Sequence, residues 1–291
     1  VLAVASSLLA LRSGPFRWLG YLLMLFAGTL KYYPLSLLVV TLRERRHHFV
    51  VAVIVVLGLL AAFLGLYLSE IRQTLAMLPE RHYDGRQIGM RDLPHQVGTM
   101  VLGLPLDGDV SSAAFRGIYF GAFAVTIVGF TLALWRLLAT VSLARGFRSL
   151  DGMTQILMVM GGALLAGCFF SEPSNLYRGI FLLLVLPGLL AIGRQREDRR
   201  LHRIVTVTSV CLIALLWAEC LRFNLWWPLH PAGAPPAARL ILALIFDVLL
   251  IARELAWWWV ITFLVAILLI FAAEADIVRA LSRPRQRASS D

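Results

Sequence analysis

Lysine is almost missing from this chain: of its 27 lysine and arginine side chains, only Lys31 is a lysine. Acidic residues are sparse too, 17 Asp and Glu leaving a net charge of +10, and cysteine is limited to Cys168, Cys211 and Cys220. These cysteines show no CxxC spacing and no clustered histidine, which excludes a disulfide framework and a zinc site and leaves them as packing filler. The glycine-rich phosphate loop, the nucleophile elbow and HExxH are all missing, so the soluble chemistries built on them are excluded, and no metal or cofactor is implied. Internal repeats and low-complexity linkers are missing as well. The chain opens at Val1 inside an apolar stretch without a basic n-region, which argues against a signal peptide; further residues are expected upstream.

What remains is apolar. Fifty-nine per cent hydrophobic residues and a mean hydropathy of +0.79 point to an all-α, polytopic integral membrane protein, a single membrane domain over 1–291. Candidate spans or re-entrant helices, eight to nine in all, are Val1 to Leu11, Trp18 to Leu42, Phe49 to Leu68, Phe115 to Ala139, Met153 to Phe170, Gly179 to Gly193, Ile204 to Leu221, Leu240 to Ala252 and Leu255 to Ala273. Arginine clusters at 43–46, 136–148 and 194–203 place those loops in the cytoplasm. The outer face then receives Arg12 to Arg17, the long loop 69–114, Ser171 to Arg178 and the segment 222–239. Leu240 to Ala252 is short and carries Asp247. Read as a re-entrant or interfacial helix, it returns the basic tail 279–291 to the cytoplasm. In the long loop, Ile71, Leu75 and Leu78 recur at helical spacing and predict a helix lying on the membrane surface, followed by Gly- and Pro-punctuated loop. With the arginines bound to anionic headgroups, nucleic acid is not an expected partner.

Lys31 stands in an apolar run, in Lys31-Tyr32-Tyr33-Pro34. An ammonium at membrane depth is costly without an anion, a carbonyl or water, which makes it a functional candidate; the alternative is a lysine snorkelling to the nearer interface. Pro34 removes a backbone hydrogen bond about one turn beyond Gly28, predicting a kink or break over Lys31 to Pro34, and broken helices line cavities. A cation about 4 Å from a phosphate gains on the order of 4 kcal/mol at an effective dielectric near 20. Lys31, Tyr32 and Tyr33 are thus candidate ligands of a lipid-linked phosphate.

Three further constellations carry polar groups. Ser171 to Arg178 sets Glu172 and Arg178 on one aqueous face, either as substrate ligands or as an ion pair closing the hairpin. Arg81-His82-Tyr83-Asp84-Gly85-Arg86, with Asp92, His95, Asp107 and Asp109, offers a carboxylate among cations, as general base, as a divalent-metal ligand in a spacing that matches no metal motif, or as solvated loop charge. Asp247, Arg253 and Glu254 beside Trp257-Trp258-Trp259 read as an internal ion pair near an aromatic belt.

Lys31-Tyr32-Tyr33-Pro34, followed by Leu35-Ser36-Leu37-Leu38 and Arg43-Glu44-Arg45-Arg46, resembles the K-x-Y-P segment of the C-type glycosyltransferase superfamily, notably the family 87 polyprenol-phosphate-mannose-dependent mannosyltransferases. Asn175-Leu176-Tyr177-Arg178, followed by Ile180-Phe181-Leu182-Leu183 and Leu186-Pro187, resembles the later N-x-Y-R hairpin of related bacterial members. The resemblance implies transfer of a hexose such as mannose from a polyprenyl-phosphate donor to a glycan or lipid acceptor, at the outer face of a bacterial inner membrane. It implies Lys31, Tyr32, Tyr33, Asn175, Tyr177 and Arg178 as substrate ligands. A carboxylate would deprotonate the acceptor while cations hold the departing phosphate. Such a base belongs to a first outer loop, yet Val1 to Lys31 holds neither Asp nor Glu. The base is expected upstream of Val1, with Asp84 or Glu172 as substitutes. Three other readings stay open: an O-antigen ligase or polymerase type of enzyme using the arginines and histidines of the long loop, a lipid-phosphate or solute transporter, and a non-catalytic membrane scaffold that would tolerate leucine at Lys31.

Overall fold

A computed structural model describes residues 2–10, 14–31, 33–77, 87–104, 112–171, 174–195, 198–229, 236–275 and 278–279. Among them the architecture is helical: α1 (Leu2–Ala10), α2 (Pro15–Leu30), a 3-10 segment (Tyr33–Arg43), α3 (Arg46–Met77), α4 (Asp92–Leu102), α5 (Ala113–Leu138), α6 (Val141–Arg148), α7 (Gly152–Ser171), α8 (Leu182–Gly193), α9 (Arg199–Leu229) and α10 (Pro236–Glu274). The one interruption is a two-residue antiparallel ladder, β1 (Gln87–Ile88) with β2 (Ser174–Asn175). Five helices contain stretches long and apolar enough to cross a membrane: Arg46–Thr74, Ala113–Leu138, Gly152–Ser171, Arg199–Trp217 and Leu244–Glu274. That pattern defines a multi-pass α-helical membrane protein.

Several sequence expectations are corrected here. The surface helix expected after residue 68 is the unbroken continuation of α3 as far as Met77, and the loop beyond it contains α4. The re-entrant or interfacial helix expected over 240–252 and the span expected over 255–273 are one helix, α10. No glycine or proline lies between Ala237 and Glu274, so nothing in the backbone chemistry ends the helix at the charged step Arg253-Glu254. The span expected over 1–11 is the nine-residue α1, about 14 Å long. The span over 179–193 becomes a 3-10 turn (Leu176–Phe181) leading into the twelve-residue α8, with Pro187 inside it.

The chain packs as two compact units, residues 1–81 with 267–291 and residues 82–266. In the first, α2 buries Gly20, Tyr21, Met24, Leu25, Ala27 and Gly28, one face at helical period, while Leu22, Phe26 and Leu30 face outward. Gly20 lets α1 approach to backbone contact: a Cβ there would lie 2.5 Å from the Ala10 nitrogen. In the second unit, α7 is the core helix. Gly161 meets Val185 and the Phe181 carbonyl, Gly188 meets the Met158 sulfur, and Gly162 faces Leu264, so glycine permits close packing of α7 with α8 and α10. Lipid is as apolar as leucine, so such close packing, rather than water exclusion, holds helices together here. By contrast α5 buries none of its spanning window, which makes it a lipid-facing helix.

Candidate functional site

The first unit carries Lys31. α2 stops at Leu30, and Lys31 follows in extended conformation (φ −151°, ψ 126°), its N–H donating to the Ala27 carbonyl at 3.0 Å. The side chain is exposed. The chain then reverses, so the break expected over Lys31 to Pro34 is a turn, and the single crossing expected over 18–42 is corrected. A Cβ on Gly28 would stand 2.3 Å from the Leu35 side chain, so glycine is what lets the returning strand of the hairpin lie against α2. The returning arm is a 3-10 helix whose buried residues Pro34, Leu37 and Val40 recur every third position, the eclipsed row that this helix type produces. Ser36 and Thr41 add hydroxyl bonds to the carbonyls of Tyr33 and Leu38, both 2.7 Å and both three residues back.

The open end of this hairpin is held by Glu44, which is 3% exposed. Its carboxylate accepts from Arg17 Nη1 at 2.9 Å and from the Tyr21 hydroxyl at 2.8 Å, with Arg43 Nε and His48 Nδ1 each 3.9 Å away. Trp18 sets its ring edge-on to His48 with centroids 5.9 Å apart. Arg17 and Arg43 therefore share one end of the hairpin, which corrects their expected separation to opposite ends of a single span. Lys31 lies at the other end, about 21 Å from Arg17 along the α2 axis.

The second unit assembles what the sequence keeps apart. The β ladder pairs Gln87 with Asn175 and Ile88 with Ser174, and Met90 N–H donates to the Phe169 carbonyl at 3.0 Å. The long loop and the N-x-Y-R hairpin are thereby joined. Directly after the ladder, α4 buries Asp92, Gln96 and Thr99, one row at i, i+4 and i+7. His95 lies beside that row, its ring 5.5 Å from Phe115. On α10, Arg253 Nε donates to Glu254 Oε1 at 2.8 Å, with the two residues 7% and 0% exposed. Trp257 covers Gly179, which a Cβ would bring within 3.7 Å of the indole, and Trp258 packs edge-on against Phe130 and Phe169.

Of the substrate ligands taken from the sequence, Lys31 and Tyr33 are placed at the hairpin turn, and Tyr32 lies outside the described residues, as do Asp84 and Glu172. Asn175, Tyr177 and Arg178 have described backbone, in β2 and in the 3-10 turn after it. The Asp92-Gln96-Thr99 row escapes a hydropathy reading because Pro94 and Gly98 look like loop punctuation. Pro94 in the first turn and Gly103 closing α4 at φ 62° were the signal available. Comparison of the chain with family models, curated proteins and solved structures finds no match.

Proposed function

We propose that this protein is a membrane glycosyltransferase that moves a hexose, mannose being the sugar of the family it resembles, from a polyprenyl-phosphate donor to an acceptor on the outer face of a bacterial inner membrane. The observation that supports the reading is the interrupted hairpin. The Lys31 ammonium stands exposed at its turn, at the opposite end from Arg17 and Arg43. If the arginine end faces the cytoplasm, as charge asymmetry directs, the turn faces the outer leaflet, where a lipid phosphate presents its charge. In that role Lys31 holds the donor phosphate and stabilises the negative charge that grows on it as the sugar leaves. At neutral pH it is an electrostatic group and not a base, so the acceptor proton passes to a carboxylate.

The test is transfer in proteoliposomes supplied with polyprenyl-phosphate-mannose. Lys31→Ala is expected to lower kcat/KM by about tenfold to a thousandfold, the equivalent of roughly 1.4 to 4 kcal/mol, with Lys31→Arg losing less because the charge is kept. Unchanged turnover and donor affinity in Lys31→Ala would overturn the proposal. Loss of activity confined to Arg91→Ala and His95→Ala would point instead to the ligase type of enzyme.

A further inference from the structure

In the second unit, the short helix α6 joins two stretches that are long and apolar enough to cross a membrane, Ala113–Leu138 and Gly152–Ser171. It therefore stands at a bilayer surface whichever way the chain is threaded. α6 is strongly amphipathic: Leu143, Gly146 and Phe147 are buried, and a Cβ on Gly146 would lie 3.1 Å from Ile192 and 3.3 Å from Leu201 at the α8–α9 junction. The opposite side carries Val141, Arg145 and Arg148, at i, i+4 and i+7, all three exposed. Apolar side chains continue this surface onto the last turn of α5, where Trp135 is 74% and Leu138 41% exposed, beside Val141 at 71%. Such side chains suit the boundary between headgroups and acyl chains, tryptophan above all.

The charge beside them is of one sign. Seven arginines among the described residues stand in the segments 136–148 and 194–203, which Gly146 and a hydrogen bond from Gln195 to the Ser149 hydroxyl bring together. The described carboxylates of those segments and of the turn into α7 are Asp198 and Asp151, and both serve as helix caps. Asp151 accepts from the N–H groups of Met153 and Thr154; Asp198 accepts from those of Arg200 and Leu201 and from the Ser142 hydroxyl. Positive charge is thus in excess at this end. A soluble anion would answer the arginines and leave Trp135, Leu138 and Val141 in water, while a zwitterionic lipid would cover the apolar side chains without answering the excess charge.

We infer that the α5–α6 corner binds an anionic phospholipid, its phosphate against Arg145 and Arg148 and its acyl chains beside Val141, Leu138 and Trp135. The corner differs from basic loop charge in general, because its preference belongs to one face of α6 and needs the apolar side chains as well as the arginines. The site does not depend on the transfer proposed above.

The experiment uses the whole chain in phosphatidylcholine nanodiscs that carry equal trace amounts of phosphatidylglycerol or phosphatidylcholine with a diazirine in the acyl chain. Peptides covering residues 135–148 should take up the phosphatidylglycerol at least about fivefold more than the phosphatidylcholine, a margin of roughly 1 kcal/mol, the scale of one arginine at an anionic surface. In the Arg145→Gln, Arg148→Gln double variant the margin should disappear while phosphatidylcholine uptake stays the same. The Arg145→Lys, Arg148→Lys variant keeps the charge and should keep most of the margin. Val141→Asp, at a position largely exposed, sets a carboxylate on the same face and should also remove it. Arg116→Gln, at the other end of α5, and Lys31→Ala should leave it intact. Equal uptake of the two lipids, a margin that survives the double glutamine variant, or one spread evenly over every interfacial peptide would overturn the site. So would a margin erased by inorganic phosphate at constant ionic strength, which would make the corner a site for a soluble anion.

Discussion

At the scale of single residues, two positions decide the hairpin. Gly28 is the first, because the space a Cβ would take is filled by Leu35. Gly28→Val is expected to destabilise the fold by roughly 1 to 3 kcal/mol, an overpacking cost. Leu35→Ala in the same chain should recover part of it, which a double-mutant cycle on thermal unfolding in detergent would measure; strict additivity would exclude the contact. Glu44 is the second. Its carboxylate is buried and its strongest partner, Arg17, is partly exposed, so Glu44→Gln should cost about 1 to 3 kcal/mol, below the value for a fully buried pair. A variant as stable as the parent would show that the ion pair does not hold the hairpin. The break at Lys31 was legible, because Pro34 cannot continue the hydrogen-bond ladder. The reversal was not. Hydropathy reads the same whether 25 apolar residues run on or fold back, and the pairing of Arg17 with Glu44 requires three dimensions.

At the scale of elements, α10 shows how a hydropathy minimum misleads. Asp247, Arg253 and Glu254 depress the apolar average in mid-helix, yet each is a residue that a helix accommodates, and Arg253 donates to Glu254 Oε1. Hydrogen exchange in nanodiscs should therefore find amides protected without a break from residue 250 to 258, and a fast-exchanging step at 252–255 would restore two separate helices. Two other helices depend on carboxylate caps. Asp151 accepts from the N–H groups of Met153 and Thr154 at the start of α7, and Asp198 from those of Arg200 and Leu201 at the start of α9. Hydrogen bonding to the charged form, from Thr154 and from Ser142 respectively before the other donors, holds both carboxyls below their ordinary values. The folded value is the lower one, so this stabilisation is complete above roughly pH 4 and is lost as pH falls through the folded values. The thermal midpoint should decline between about pH 4 and pH 2. In the Asp151→Asn, Asp198→Asn double variant that decline should be shallower, and an identical slope would exclude the caps as its source.

At the scale of the whole molecule, arginines far apart in sequence meet at one place in each unit. In the second, α6 packs onto the junction of α8 and α9 through Gly146 against Ile192 and Leu201, and Gln195 donates to the Ser149 hydroxyl. Arg145, Arg148 and Arg194 therefore share an end of this unit. In the first unit the meeting of Arg17 with Glu44 makes a distinct forecast. In a variant whose native cysteines are replaced, Phe16→Cys and Arg45→Cys should react with a membrane-impermeant thiol reagent from one face, and Lys31→Cys from the other. Labelling of Phe16→Cys and Arg45→Cys from opposite faces would return residues 18–42 to a simple crossing. The charge pattern thus marked the arginine clusters but misplaced Arg17, because the number of crossings depends on where the chain turns back.

The closed hairpin also bears on how the chain enters a bilayer. In the orientation proposed above, a pair of arms joined at one end by Arg17 and Glu44 inserts turn first, with both ends of the segment on the side of synthesis. Among residues 18–42 the sole charge carried inward by that movement is Lys31, at about 3 kcal/mol for a lysine at the bilayer centre. Arg17, Arg43, Arg45 and Arg46 never leave the side on which they were made. Biogenesis of this segment thus requires the translocation of one charge, and that charge is the one left at the turn.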